Sequence, residues 1–270
     1  MRKDYISIDS VSNALDEAGF VEHFWTEQWR GRGSPPDVSA VAGREEYRLM
    51  RPYLERIRPG SRILDGGCGL GEWTVYLLQR GFDVTGLDIS EQTVARLQVW
   101  FPNSHFSAGD LRRTSFADGF FDAYLSWGTF EHFESGLGEC LVEARRIVKP
   151  GGWLFVSVPY QNWRLRVRDL RPLERWDESF DPNTGYRAPQ RFYQWRLTQP
   201  ELRRELELHG FRVHSLTPIA KLTGAGRMLQ WDLPIVTRSS RSYGVACRAL
   251  AAALPARFLS HMILAVAERR

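Results

Sequence analysis

Cysteine is scarce in this 270-residue chain: Cys68, Cys140 and Cys247 are the only three, none in a C-x-x-C pair and none with His or Cys neighbours at zinc-like spacing. A disulfide framework and a structural zinc site are excluded, no metal is expected, and so sparse an odd set of thiols suits a reducing compartment. Long apolar runs are missing as well. The opening residues, MRKDYISIDS, lack the apolar core of a secretory signal, and the run from Ala249 to Leu254 is far too short to span a bilayer. The expectation is a soluble, cytoplasmic protein with no transmembrane segment. Nor does one charge dominate, since 36 basic against 32 acidic residues leave a net +4. That surplus suits an anionic substrate or lipid headgroups, and alone it does not argue for nucleic acid. Internal repeats, low-complexity tracts and an N/D-P-P-Y/F motif for a flipped base are absent too; the Pro-Pro pair at 35–36 is followed by Asp37.

What remains is an ordinary globular composition, 43% hydrophobic and 25% charged, with ten tryptophans. Residues 1–43 read as an irregular, aromatic N-terminal cap segment ending in a Gly/Ser/Pro loop. A helix over 44–57 closes at Pro59-Gly60. Strands then alternate with helices: strand 61–65, helix 71–80, strand 82–87, helix 90–100, a short strand at 104–107 and a strand at 120–126. Leu137, Leu141, Ala144 and Val148 form one helical stripe that stops at Pro150-Gly151-Gly152, and WLFVSVP follows as a fully apolar strand. This rhythm implies a parallel sheet with helices on both faces. Two segments interrupt it, at about 160–197 and 217–258. Between them lie a helix at 198–209 and a strand at 211–216, and within the second a helix around 241–254. HMILAVA (261–267) is the last strand.

The densest signal is RILDGGCGLGEW (62–73), where Gly67, Gly69 and Gly71 follow a strand directly. Glycine there lets backbone amides touch a ligand, and in open parallel sheets this turn is the usual nucleotide site. The dinucleotide pattern G-x-G-x-x-G would put its third glycine at position 72, which is Glu, and an acid there would repel a pyrophosphate. Acids at both ends of the loop, Asp65 and Glu72, suit instead a ligand with cationic groups and no phosphate.

LDGGCGLGEWTVYL resembles motif I of class I S-adenosylmethionine-dependent methyltransferases, the UbiE-like small-molecule branch in particular. Asp88 in VTGLDIS, Asp110 in SAGDL, the stretch FDAYLSWGTFEHF and the stretch EARRIVKPGGWLFVSVP fall in that family's order. The resemblance covers roughly residues 44–160 and resumes at Gly210-Phe211 and the last strand. It implies a Rossmann-like, doubly wound α/β sheet of seven strands in the order 3-2-1-4-5-7-6 with strand 7 antiparallel. It also implies one methyltransferase domain (44–270) with lid insertions at the two interruptions, S-adenosyl-L-methionine as cofactor and S-adenosyl-L-homocysteine as product. On the matching positions, Asp65, Gly67, Gly69 and Gly71 would hold the methionine part, Asp88 the ribose and Asp110 the adenine, with Gly66, Cys68, Ile89 and Leu111 as further cofactor-binding residues. Ser126 and Trp127 would line the cleft, with Gly128 beside them. Each has a plainer reading: Asp88 as a helix cap, Asp110 as a turn residue, Trp127 as core, Cys68 as a small loop residue.

For chemistry, His132 is the candidate base, or else it packs the pocket; Glu131 could orient it or cap the next helix. Tyr160 after the fifth strand either faces substrate or covers the core. The insertion at 160–197 holds eight arginines, eight aromatics and five acids. Arginine forks suit carboxylate or phosphate, and aromatic faces suit rings. Trp163, Arg164, Tyr193 and Trp195 are its candidate substrate contacts, against the alternative that acids pair the arginines and the aromatics pack. The acceptor expected is a hydroxyl or amine of a small molecule or sugar, with natural-product or polysaccharide biosynthesis as the setting the resemblance implies. Membrane contact through RSYGVACRALAAALPARFL is left open, as are the oligomeric state and two rival functions: a nicotinamide-dependent oxidoreductase and a non-catalytic S-adenosylmethionine-binding module.

Overall fold

The computed structural model describes residues 1–8, 12, 14–170, 180–181, 185–186, 190–232 and 241–270, and all structural statements concern these. The strands, in chain order, are β1 (Arg2–Ser7), β2 (Arg62–Gly66), β3 (Asp83–Asp88), β4 (His105–Ala108), β5 (Phe121–Trp127), β6 (Val148–Pro159), β7 (Phe180–Asp181), β8 (Gly185–Tyr186), β9 (Gln190–Arg196), β10 (Phe211–Ile219) and β11 (Met262–Arg269). The helices are α1 (Glu17–Arg30), α2 (Glu45–Leu54), α3 (Glu72–Leu78), α4 (Glu91–Trp100), α5 (Gly138–Ile147), α6 (Trp163–Arg168), α7 (Gln199–Leu208), α8 (Lys221–Trp231), α9 (Arg241–Ala253) and α10 (Ala256–Leu259).

Seven strands form the central sheet in the order β4-β3-β2-β5-β6-β11-β10. Numbered within the sheet, this is 3-2-1-4-5-7-6, the expected order. β2 to β6 pair in parallel, and β11 runs antiparallel to both neighbours. Period-two alternation divides each strand between two cores. Leu64, Leu154, Val156 and Ile263 pack against the α5 and α7 side, with Leu141, Ala144 and Leu202. Ile63, Phe155, Leu264 and Val266 pack against the other side, with Met50, Trp73 and Leu77. Burial on both faces is why β6 and β11 read as continuous apolar runs. Because β11 is antiparallel to β6 and β10, the chain re-enters the sheet at the carboxyl edge. α8, α9 and α10 therefore stand over that edge, where parallel sheets bind ligands.

Two readings of the sequence change. The described part of residues 1–43 holds a strand and two helical segments. β1 pairs antiparallel with β9, a contact 190 residues distant that local pattern could not reveal. α1 is a full helix whose N-cap Asp16 accepts the Gly19 amide at 2.8 Å. Its far end is held to the domain by Arg96, which donates to the Trp29 carbonyl at 2.9 Å, and by a 2.7 Å bond between the Thr26 and Ser90 hydroxyls. The second change is α8, in a stretch left without an element; its two glycines sit against neighbours, Gly224 against the Leu259 carbonyl and Gly226 against Tyr243. Residues 171–179, 182–184 and 187–189 of the first insertion and 233–240 of the second lie outside the described residues. Among the described residues, no helix is long and apolar enough to cross a membrane.

α7 opens with a complete capping box, in which Thr198 accepts the Glu201 amide and Glu201 accepts the Thr198 amide. Thr198→Ala is expected to lower unfolding free energy by ~1 kcal/mol, read from denaturant midpoints. No loss would show that the box adds nothing to the α7 dock.

Candidate functional site

After β2 the chain turns through Gly66–Gly71 and is laid against the end of β3, where the Leu87 carbonyl accepts the Gly67 and Cys68 amides at 2.7 and 3.0 Å. Gly67 and Gly69 hold φ of +74° and +53°, a region side chains disfavour. A Cβ on Gly67 would fall on the Thr129 hydroxyl, and one on Gly69 would come within 3.2 Å of the Trp29 ring. Gly66 and Gly71 answer instead to the core, with Tyr124 at 2.5 Å and Phe106 at 2.9 Å from where a Cβ would sit.

Asp88 ends β3 with a buried carboxylate whose Oδ2 accepts the Gly69 amide at 2.9 Å and whose Oδ1 accepts the Ser90 amide at 3.0 Å. Burial pushes this carboxyl above the usual range, against the pull of those amides. Ser90 in turn caps α4, its hydroxyl accepting the Thr93 amide at 3.1 Å. So Asp88 does not act as the helix cap; Ser90 does.

Above this corner lies a cleft whose empty space, counted out into the solvent at its mouth, is about 510 Å³. Its floor is Gly67, Gly69, Asp88 and Ile89, its flank is Leu111 and Phe133, and β5 contributes Trp127, Gly128 and Thr129. Its roof is α1, through Val21, Trp25 and Trp29. Trp25 and Trp29 stack at 5.5 Å between centroids. The roof is clamped by Arg112, which ion-pairs with Glu17 of α1 at 2.6 Å and lies over the Phe133 ring at 4.1 Å.

These residues fit S-adenosylmethionine. Each Asp88 oxygen keeps acceptor capacity beyond its one amide, as a ribose diol requires. Two bare glycines let a nucleoside approach the backbone. The single lining carboxylate is Asp88, and the three lining tryptophans offer π faces to a sulfonium.

Several expected residues stand elsewhere. Asp65 is sealed beneath the loop, accepting the Thr74 hydroxyl at 2.7 Å, and burial raises its carboxyl to about 7. Glu72 is ion-paired with Arg44 at 2.6 Å. Neither lines the cleft, so the sulfonium argument moves from flanking acids to aromatic walls. Asp110 is gripped by Arg112, with Nε 3.1 Å from both carboxylate oxygens and Nη2 2.7 Å from Oδ2. Cys68 and Ser126 are buried, and the Ser126 hydroxyl has no hydrogen-bond partner. Gly66, Cys68 and Gly71 shape the loop from below.

His132 is 5% exposed, between Trp25 and Tyr193 with ring centroids 5.1 Å away on each side. Its Nδ1 donates to the Tyr193 carbonyl at 2.7 Å, and the ring does not line the cleft. Burial depresses it to about 4, opposed by the backbone carbonyls of Tyr193 and Gly128. Glu131 does not orient it. That carboxyl is buried with Oε2 unpartnered, Oε1 stands 3.4 Å from where a Cβ on Gly128 would be, and burial raises it to about 8. Tyr160 is buried core, packed among Val158, Leu197 and their neighbours. Among the substrate candidates, Trp163 is exposed, Arg164 is buried and ion-paired to Asp232, and the Trp195 indole donates to the Phe133 carbonyl at 3.1 Å. Tyr193 stands beside His132, which in turn meets Trp25 of the roof, and none of the four lines the cleft. The residues missed were Val21, Trp25, Trp29, Thr129 and Phe133; the first three fall at i, i+4 and i+8, a helical stripe legible in the sequence.

Comparison with known proteins bears on this cleft. A family model described as a methyltransferase domain matches residues 42–216. The chain is 32% identical over 189 residues to 2-methyl-6-phytyl-1,4-hydroquinone methyltransferase of Synechocystis, covering 65% of this chain and 58% of that protein. It is 33% identical over 117 residues to malonyl-[acyl-carrier protein] O-methyltransferase of Pseudescherichia vulneris, covering 43% and 45% of the two. The matched region thus spans about half the length of these relatives. A crystal structure of a methyltransferase from Methanosarcina mazei superposes with a TM-score of 0.55 at 20% identity, covering 81% of this chain and 97% of that one, a likeness of fold.

With Glu131 near 8 in the folded protein and 4.5 when free, the native state holds a proton between about pH 4.5 and 8 that the unfolded chain releases. This lowers stability as pH rises through that window. Glu131→Gln keeps the shape without the proton, so its stability relative to wild type should climb from about pH 5 to about pH 8. A difference that does not change with pH would show that the carboxyl ionises normally.

Proposed function

The chain belongs to the methyltransferase-domain family, and from that premise we propose that it transfers the methyl group of S-adenosylmethionine to a hydroxyl or amine of a small-molecule or sugar acceptor. S-adenosylmethionine is the cofactor. The nicotinamide-dependent oxidoreductase considered from the glycine loop alone falls with the family match.

The observation that carries the proposal is the Asp88 carboxylate, fixed by two amides on the floor of a cleft whose other walls are glycine backbone and tryptophan. Bound there, the cofactor supplies an electrophilic methyl on a cationic sulfur. What the chain must add is alignment of the nucleophile and exclusion of water, since in-line displacement depends on geometry above all. Asp88 would take the ribose hydroxyls, Gly67 and Gly69 would let the donor lie against the loop, and Leu111 would border the adenine. The α1 roof would exclude water, with residues 1–43 acting as the cap and the two insertions as the lid.

Proton removal is the lesser part of this design. His132 is neutral at ordinary pH and, at about 4, a weak proton store. Held between Trp25 and Tyr193, it would pack behind the α1 roof. A non-catalytic binding module is the second reading, favoured by the same burial of His132 and of Glu131; turnover with any acceptor removes it.

Asp88→Asn should weaken binding of S-adenosylhomocysteine by ~2 kcal/mol in calorimetry, with the unfolding midpoint recorded alongside; unchanged affinity sinks the assignment. For His132, the pH profile of methyl transfer should show no inflection between about pH 6 and 7. An inflection there that vanishes in His132→Ala would make it the base after all.

A further inference from the structure

Beyond the donor cleft, the carboxyl edge holds a second group of charges that the proposed chemistry does not use. It gathers where β6 ends, β11 begins and α6, α8 and β9 meet. Among the described residues, Arg164, Arg168, Arg196 and Arg227 face three aspartates there, Asp4, Asp169 and Asp232. The acids are already committed. Asp232 pairs with Arg164, and Asp4 is held by Arg196 Nε at 2.9 and 3.0 Å. Asp169 is shared by Gln161 at 2.7 Å, Arg196 at 3.3 Å, Arg2 at 3.7 Å and Arg168 at 4.0 Å.

Arg227 is left over. Among the described residues it makes no ion pair; its guanidinium lies over the Trp231 ring at 5.2 Å, and that of Arg168 lies over the same ring at 5.9 Å. Burial lowers the affinity of both guanidiniums for their proton and neighbouring arginines add to this, opposed at Arg227 by Tyr193 and Asp4 and at Arg168 by Asp169 and Asp232. His261, half-buried at the entry to β11, is pushed down to about 3 by the loss of solvent and then by Arg227, Arg164 and Arg196. Unsatisfied atoms cluster in the same place, with Arg164 Nε, Asp232 Oδ1 and Ser260 Oγ all buried without a hydrogen-bond partner. A half-buried cation without a counter-ion is costly unless something else supplies the charge.

This surplus adjoins the methyl-donor cleft. Gly128 lines the cleft, a Cβ on it would come within 3.4 Å of Glu131 and 3.5 Å of Met262, and Met262 opens β11 directly after His261; the Tyr193 ring stands 5.1 Å from that of His132. We infer that Arg227, with Arg168 beside it, receives an oxyanion carried by the methyl acceptor, a carboxylate or a phosphate, while the acceptor's reacting end lies in the cleft past Glu131 and Tyr193. Planar guanidinium forks recognise that chemistry bidentately, and Trp231 holds both forks in place. The inference rests on the methyltransferase reading and narrows its acceptor to an anionic one. It also changes the part played by Arg164, which braces Asp232 at the end of α8 and leaves anion contact to Arg227.

The test uses the full chain with S-adenosylhomocysteine bound, titrated with inorganic phosphate and separately with malonate against chloride at equal ionic strength. Melting temperature and calorimetry are the readouts. One or both anions should bind saturably in the millimolar range, and the stronger names the source. Arg227→Gln and Arg168→Gln should each weaken that binding roughly tenfold or more. Arg227→Lys, which keeps the charge without the fork, should fall between, and Arg203→Gln on the exposed face of α7 should match wild type. Saturation by neither anion, or unaltered binding in Arg227→Gln, overturns the inference. S-adenosylhomocysteine affinity is measured in the same variants. If it is intact while the anions fail, only this inference is lost; if the wild type does not bind it, the methyltransferase reading fails and this one with it.

Discussion

The carboxyl edge is organised by one carboxylate. Asp88 joins the loop after β2 to the end of β3 through the Gly69 amide, and joins β3 to α4 through the Ser90 amide. Ser90 then passes the connection to α1 through the Thr26 hydroxyl. A buried acid ties together the three pieces that make the cleft: glycine floor, helix start and tryptophan roof. Hydrogen bonds from backbone amides to a carboxylate are among the stronger ones, and they leave its other lone pairs for a ligand. The same residue can therefore be structural in the apo protein and still serve a ribose.

The roof has its own logic. Val21, Trp25 and Trp29 reach the cleft because α1 lies across it, and α1 lies there because Arg112 and Arg96 hold its two ends. Arg112 also occupies Asp110, so that acid is first a partner in the clamp. An aromatic roof over a nearly acid-free interior favours a delocalised, weakly hydrated cation over a phosphate. This preference reaches the conclusion first drawn from Asp65 and Glu72, by a different physical route.

The parallel sheet was legible because its strands are buried on both faces and read as short apolar runs between glycine turns. Asp88 could be placed by its position at a strand end. What could not be read was set by distant partners. Nothing near Asp65 says that Thr74 will cover it, and nothing near Glu72 says that Arg44 will neutralise it. The N-terminal strand needs β9, almost the whole chain away. The tryptophan stripe of α1 was within reach of periodicity alone and was passed over because the surrounding residues read as loop. Two of the four loop glycines answer to Tyr124 and Phe106, so a glycine-rich turn reports on the core as much as on a ligand.

The most direct measurement is a calorimetric comparison of S-adenosylmethionine with S-adenosylhomocysteine in the wild type and in Trp29→Leu. Trp29 covers Gly69 at the cleft, so the account predicts that both ligands bind and that the substitution weakens the cationic one more, by ~1 kcal/mol beyond any shared loss. Equal weakening of the two, or no binding of either, would contradict a cleft built for a sulfonium.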